Sequence, residues 1–285
     1  MAVTETDICN RALQRIGAQR IADMDTDTTD PGTACASAYD HIRDEVLRSH
    51  PWNCAIERAN VVGKQTISGI TNANPGIVQF NWAPHAWVAG DLITIAGATG
   101  MSDSINTTHT VGVANPGTFT LSGLDTTSYG TYDAYSATCS YAASSWPDDD
   151  AIRYKLPDDC LRVLGLRDSD GINWSREVWT VEGNFLVTRA GAVTQNATVT
   201  SLYKTSIQFS YIKQLTDPDF YDPLLVSAVA SRLAVELCEV LTQSNTKREL
   251  AQREYQQLLM DARRADGQEQ SPTPLAEDDW ILARY

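Results

Sequence analysis

No stretch of this 285-residue sequence is apolar for the roughly 18 consecutive residues that a membrane-spanning helix needs. Its first residues, MAVTETDICNRAL, hold no basic segment followed by an apolar run, so no secretory leader is expected. The phosphate loop G-x-x-x-x-G-K-[ST], the zinc-protease signature H-E-x-x-H and the nucleophile elbow G-x-S-x-G are all missing. With them go the usual frames for nucleotide, metalloprotease and serine-hydrolase chemistry. Histidine is scarce, and His41, His50, His85 and His109 are scattered, whereas a metal site needs two or more ligands at short spacing. The expectation is no metal, no cofactor and no catalytic residue. Six cysteines, Cys9, Cys35, Cys54, Cys139, Cys160 and Cys238, include no C-x-x-C pair and lie among apolar neighbours. They read as small buried hydrophobes in a protein made in a reducing cytoplasm.

Basic charge is scarce as well. Lys and Arg number 22 against 36 Asp and Glu, giving −14. The excess is uneven, since residues 217–285 alone hold thirteen carboxylates against seven cations, a net of −6. Proteins that grip duplex DNA neutralise phosphates with clustered Lys and Arg, and no such cluster occurs here. Tight DNA binding is therefore not expected, while passage of DNA close by is left open.

What is present falls into helical ends around a β-rich middle. Thr4 and Asp7 have the spacing of a capping box, Ile8, Ala12 and Ile16 recur at helical spacing, and Gly17 offers a stop. Asp30 and Pro31 predict the cap and first residue of a second helix, with Cys35, Tyr39, Ile42 and Val46 inward and Asp40, Arg43, Asp44 and Arg48 outward. Pro51 ends it, and the block HPWNCAIERA turns at once into a strand. Residues 65–138 change character. They are rich in Thr, Ser, Gly and Asn, with short β runs IVQFNW, DLITIAG, HTVGV and TFTLSG punctuated by Asn74-Pro75-Gly76, Gly100 and Asn115-Pro116-Gly117. After the acidic linker SSWPDDD, strands resume at IRYKL, CLRVLGL, VWTVEGNFLVT, with a turn at Gly183-Asn184, and SIQFSYI.

Asp217, Pro218, Asp222 and Pro223 open a helix to about Thr242 whose apolar residues fall on nearly every side. Such a helix must be covered on more than one face, by its own fold or by a neighbouring subunit. Leu225, Val229, Leu233 and Leu237 are assigned to a subunit interface on that ground. Thr246 and Glu249 predict the cap of a last helix carrying Leu250, Tyr255, Leu258 and Leu259, with Gly267 beyond it. A proline-spaced tail then ends in Trp280, Ile281, Leu282 and Tyr285, read as anchors for a partner.

Two constellations admit a chemical reading. Asp148, Asp149, Asp150, Asp158 and Asp159 include enough acids for a glycosidase pair, but adjacent Asp residues in a Pro-containing linker read better as solvated loop. Trp82, Trp87, Tyr129, Tyr132 and Tyr135 could form an aromatic platform for sugars or the core of a β module.

CNRALQRIG, RDEVLRSHPW, YKLPDDCLRVLGL, the EGNFLVT hairpin and DPDFYDPLLVSAVASRLAVELCEVLT stand in an order and spacing that resemble the tail tubular protein A family. These are the head-to-tail adaptors of short-tailed bacteriophages, and the likeness covers most of residues 4–63 and 150–265. The segment HAWVAGDLITIAGATGM with TFTLSGLDTTSYGTY is similar to a β module recurrent in phage tail proteins. The resemblance implies a non-enzymatic virion protein at the head–tail junction. It implies a ring of about twelve copies between portal and tail nozzle, with tail fibres as further possible partners, and DNA passing through the lumen without specific binding. Trp280, Ile281, Leu282 and Tyr285 would then dock on the portal. The expected fold is α+β: a helical bundle from both chain ends packed with an antiparallel sheet, plus an inserted small all-β barrel or sandwich. The boundaries drawn are 1–64 and 139–270 for the body, 65–138 for the insertion and 271–285 for the docking tail. The rival from another class is a tail accessory protein whose inserted module binds host-surface carbohydrate.

Overall fold

Four helices and two antiparallel sheets make up the computed structural model, which describes residues 3–81, 85–142, 151–167, 179–189 and 204–269. The fold class is α+β. The chain divides into two compact units: one takes the described residues up to Ile56 and from Ile212 onward, the other spans Glu57–Tyr211.

The first unit holds α1 (Glu5–Ile16), α2 (Asp30–Ser49), α3 (Pro223–Thr242) and α4 (Asn245–Gln268). Helix α1 begins with the expected capping box: Asp7 N–H donates to Thr4 Oγ1, and Thr4 N–H donates to an Asp7 carboxylate oxygen, each at 3.1 Å. It stops where Gly17 takes φ 71°, a left-handed conformation that costs glycine little. Its buried face is Ile8, Cys9, Ala12, Leu13 and Ile16. Helix α2 is capped by Thr29 instead of Asp30, because Asp27 accepts from both Thr29 N–H and Oγ1–H, at 2.9 and 2.6 Å, and turns the chain one residue earlier. Ser244, not Thr246, caps α4, and α4 runs through Gly267 to Gln268. Asp222 caps α3 by accepting from Leu224 N–H at 2.8 Å, and Pro223 follows it at the first helical position.

Helix α3 is the centre of this unit, packing on each of α1, α2 and α4. Eleven of its residues are buried, among them Leu225, Val229, Leu233 and Leu237. Burying each such side chain contributes on the order of 1.5–3 kcal/mol. Helix α4, by contrast, buries only Ala251 and Ala262. Leu250 of this helix is 68% exposed.

The second unit is built from β1 (Ile56–Thr66), β2 (Gly69–Ile70), β3 (Ile77–Gln79), β4 (Leu92–Ala96), β5 (Thr108–Asn115), β6 (Thr118–Leu121), β7 (Thr138–Tyr141), β8 (Ala151–Lys155), β9 (Cys160–Arg167), β10 (Trp179–Glu182), β11 (Phe185–Arg189) and β12 (Lys204–Lys213). Nine of them form one sheet in the order β2-β3-β6-β5-β4-β7-β1-β12-β9, and β10-β11-β8 form a second. The change of composition at residues 65 and 138 falls where β1 and β7 are antiparallel neighbours, with Lys64 opposite Ser140 and Thr66 opposite Thr138.

Two cores fill this unit. One gathers Ile67, Val78, Trp87, Ile93, Ile95, Phe119, Leu121 and Cys139 with their neighbours, and the other gathers Tyr154, Val163, Leu166, Leu186, Phe209 and Tyr211. Contacts also bridge the stretch between β1 and β7 to the three-stranded sheet. Lys155 Nζ pairs with Asp91 at 2.8 Å and Tyr141, at the end of β7, meets Phe185 edge-on at 5.3 Å, while within the three-stranded sheet the Arg153 guanidinium lies 5.9 Å from the Phe185 ring centre. Gly63 allows a close approach here, since a Cβ at that position would meet Ile152 Cγ2 at 2.6 Å and Arg153 O at 2.7 Å.

Candidate functional site

The residues assigned to a subunit interface are covered by their own chain. Leu225, Val229 and Leu233 are fully buried and Leu237 nearly so, under α1, α2 and α4. The all-round apolarity of α3 is therefore satisfied within one copy, and it no longer argues for a neighbour. The portal-docking residues Trp280, Ile281, Leu282 and Tyr285 lie outside the described residues, as do Trp82 and Asp148, Asp149 and Asp150.

Helix α2 departs from its expected amphipathic pattern at Arg43, which is 4% exposed instead of facing outward. Its guanidinium donates to Asp40 Oδ1 at 2.7 Å and to Asp44 Oδ1 at 2.9 Å, and the second Asp44 oxygen accepts from Gln214 Nε2 at 2.7 Å. A buried cation is tolerable only with such partners. Nearby, Tyr221 donates to Leu215 O at 2.8 Å, and burial pushes its phenol up to about 12. Burial and the neighbouring Tyr221 also raise Tyr39 above the usual phenol range.

The HPWN block forms a clamp on the last turn of α4. Trp52 is buried with its indole N–H donating to Val46 O at 3.0 Å. Asp266 accepts from Asn53 N–H at 2.8 Å and faces His50 Nε2 at 3.0 Å, while Asn53 Nδ2 donates to Asp266 O at 2.8 Å. Arg263 adds contacts to Ser49 O and Oγ, each at 3.2 Å. These groups orient a helix end.

A groove of about 440 Å³ runs between α2 and α3. Ala34, Ala38 and Ile42 of α2 and Leu237 and Val240 of α3 supply its apolar lining. The small residues at 34, 37 and 38 leave the space open. At one end the Arg232 guanidinium is held by both oxygens of Glu45, at 3.1 and 3.0 Å, and by Glu236 at 3.2 Å. Ser37 and His41 complete the rim. Sequence reasoning missed this groove, although the run ACASA on a helix was a signal that one stretch of α2 is thin-walled.

The aromatic sugar platform is not assembled on a surface. Trp87 is 1% exposed and packs with Phe80 at 5.2 Å, with Phe119 at 6.0 Å and with Tyr141 at 6.1 Å. Tyr132 is buried with its hydroxyl donating to Ile67 O at 3.1 Å, and Tyr129 packs on the same core. Tyr135 alone of the described set is exposed. Of the carboxylates, Asp159 accepts from Tyr211 Oη at 3.1 Å. Burial, then the Asp159 charge, raise that phenol above its usual range.

Among the described residues no three His, Cys, Asp or Glu side chains converge to hold a metal ion. His85 and His109 each meet a backbone carbonyl, Thr118 O at 3.1 Å and Ile105 O at 2.9 Å. None of the six cysteines forms a disulfide, and Cys9, Cys35, Cys139 and Cys238 are buried. The hydrogen bond with Cys35 together with burial pushes the Cys9 thiol up, and burial does the same to Cys54 and Cys139. Protonated, buried thiols are poor nucleophiles and poor ligands. No described helix is long and apolar enough to cross a membrane. Neither protein-family models nor curated proteins yield a match to this chain.

Proposed function

We propose that the chain is a structural virion protein, a head-to-tail adaptor that forms a ring of about twelve copies between the portal and the tail nozzle of a tailed phage. The observation that carries the proposal is the order and spacing of HPWNCAIERA, YKLPDDCLRVLGL and the long apolar helix, interrupted by a stretch of different composition. Two structural facts support it. Helices from both chain ends pack together, and the two ends of the intervening stretch are antiparallel neighbours, so a β module could be accommodated there without disturbing the rest. In its finer form the proposal has a body of residues 1–64 and 139–270, in which the helical bundle packs with the sheet. An inserted barrel or sandwich of residues 65–138 projects from it, with residues 271–285 contacting the portal and tail fibres as further possible partners.

The ring conveys DNA and does not grip it: a conduit of net negative charge avoids binding the phosphates it passes. Closure of a ring requires the same two patches on every copy. With the α3 leucines covered, those patches must lie on other surfaces of the body. The experiment is negative-stain imaging of the purified protein, alone and mixed with the portal of the same phage. Rings with an axial hole, capping the portal end-on, are the expected result. A protein that stays monomeric and unbound in both samples overturns the proposal.

A further inference from the structure

We propose that the groove between α2 and α3 is the seat of the chain's own C-terminal segment, with Trp280, Ile281 and Leu282 covering its apolar floor. The proposal does not depend on the adaptor reading, though in an adaptor the segment must leave the groove before it can meet a portal.

Three observations name this occupant. The first is the shape and chemistry of the groove: about 440 Å³, floored by apolar side chains and ending at Val240, which is 68% exposed. An apolar triplet carrying one indole suits a space of that size better than a charged or extended polar strand. Second is reach. The last turn of α4 is pinned beside the end of α2 by the contacts of Asp266 with His50 and Asn53. From Ser49 back to His41 along α2 is about 12 Å at 1.5 Å per residue. The chain from 270 to 280 spans up to about 35 Å when extended, so the triplet reaches the groove of its own copy with slack. The third is charge. Glu45 and Glu236 both pair with Arg232 at that end of the groove, and their side chains remain 45% and 54% exposed. Arg284 follows the apolar triplet by two residues and is a cation that these half-exposed carboxylates can accept from.

Amide hydrogen exchange of the full-length protein, read by mass spectrometry, tests the assignment. In the wild type the amides of residues 279–285 should exchange at least about tenfold more slowly than in a free peptide. Val240→Asp and Ser37→Arg, both at exposed positions, should return them to the free-peptide rate while circular dichroism shows the helices intact. Trp280→Ala should do the same without touching the helices at all. The proposal is overturned by amides that already exchange at the free rate in the wild type, or by protection that survives both groove substitutions. Protection that disappears on dilution places the segment on a second copy and overturns the same-chain assignment.

Discussion

Leu233 is fully buried at the point where α3 meets its neighbours, so its replacement tests folding before it tests assembly. Leu233→Ala should cost about 2–5 kcal/mol through lost burial and a residual cavity. Leu233→Asp should leave the helical unit unfolded, since an unpaired carboxylate there has nothing to bond. Denaturant titration followed by helical circular dichroism reads both, and a stable, helical Leu233→Asp protein would contradict the packing described. Tyr221 gives a pH signature. Its folded pKa is raised by burial to about 12, whereas an unfolded tyrosine titrates near 10. The unfolded chain therefore releases this proton first, and the stability it contributes is complete below about pH 10 and falls away between about 10 and 12. Tyr221→Phe should cost about 1 kcal/mol near neutrality, through the lost bond to Leu215 O. It should lose part of the alkaline destabilisation, seen as a flatter dependence of the unfolding midpoint on pH above about 10.

At the scale of elements, α3 and α4 differ in how much each depends on its partner. Leu250 and Met260 of α4 are 68% and 60% exposed, so replacing both by Gln should change stability by no more than about 0.5 kcal/mol. A larger loss would mean that these side chains are covered in solution. Removal of residues 67–137 with a short Gly-Ser bridge joins the neighbouring strands β1 and β7. The helical signal should be unchanged, because α1 to α4 bury their apolar faces on one another. The product should nonetheless be less stable in its β unit, having lost the Asp91–Lys155 pair. An insoluble product, or one without helix, would show that the removed strands are needed for the helices to form.

For the whole molecule, the −14 charge predicts duplex binding weaker than micromolar at physiological salt, with a shallow salt dependence. Fluorescence anisotropy with a labelled duplex measures this directly. A sub-micromolar complex that weakens steeply with salt would require a basic surface that this composition does not supply.

What the sequence by itself determined is what short-range chemistry decides. The capping box at Thr4 and Asp7, the stop at Gly17, the turn at Gly183-Asn184 and the end of α2 before Pro51 each depend on a few consecutive residues, and each is where local stereochemistry put it. The α+β class followed from the same periodicities. What only the tertiary structure decided depends on partners far apart in the chain. Asp266 meets His50 across 216 residues, and Arg43 is drawn inward although its spacing reads as a solvent face. Trp87, Tyr129 and Tyr132 turn toward a core, not a ligand. The all-round apolarity of α3 looked alike whether one copy or two would cover it; hydrophobic burial is non-directional, and only the packing of α1, α2 and α4 identifies the cover. The α2–α3 groove was hidden for the same reason: a gap is set by what the surrounding helices fail to fill, which no single stretch of sequence records.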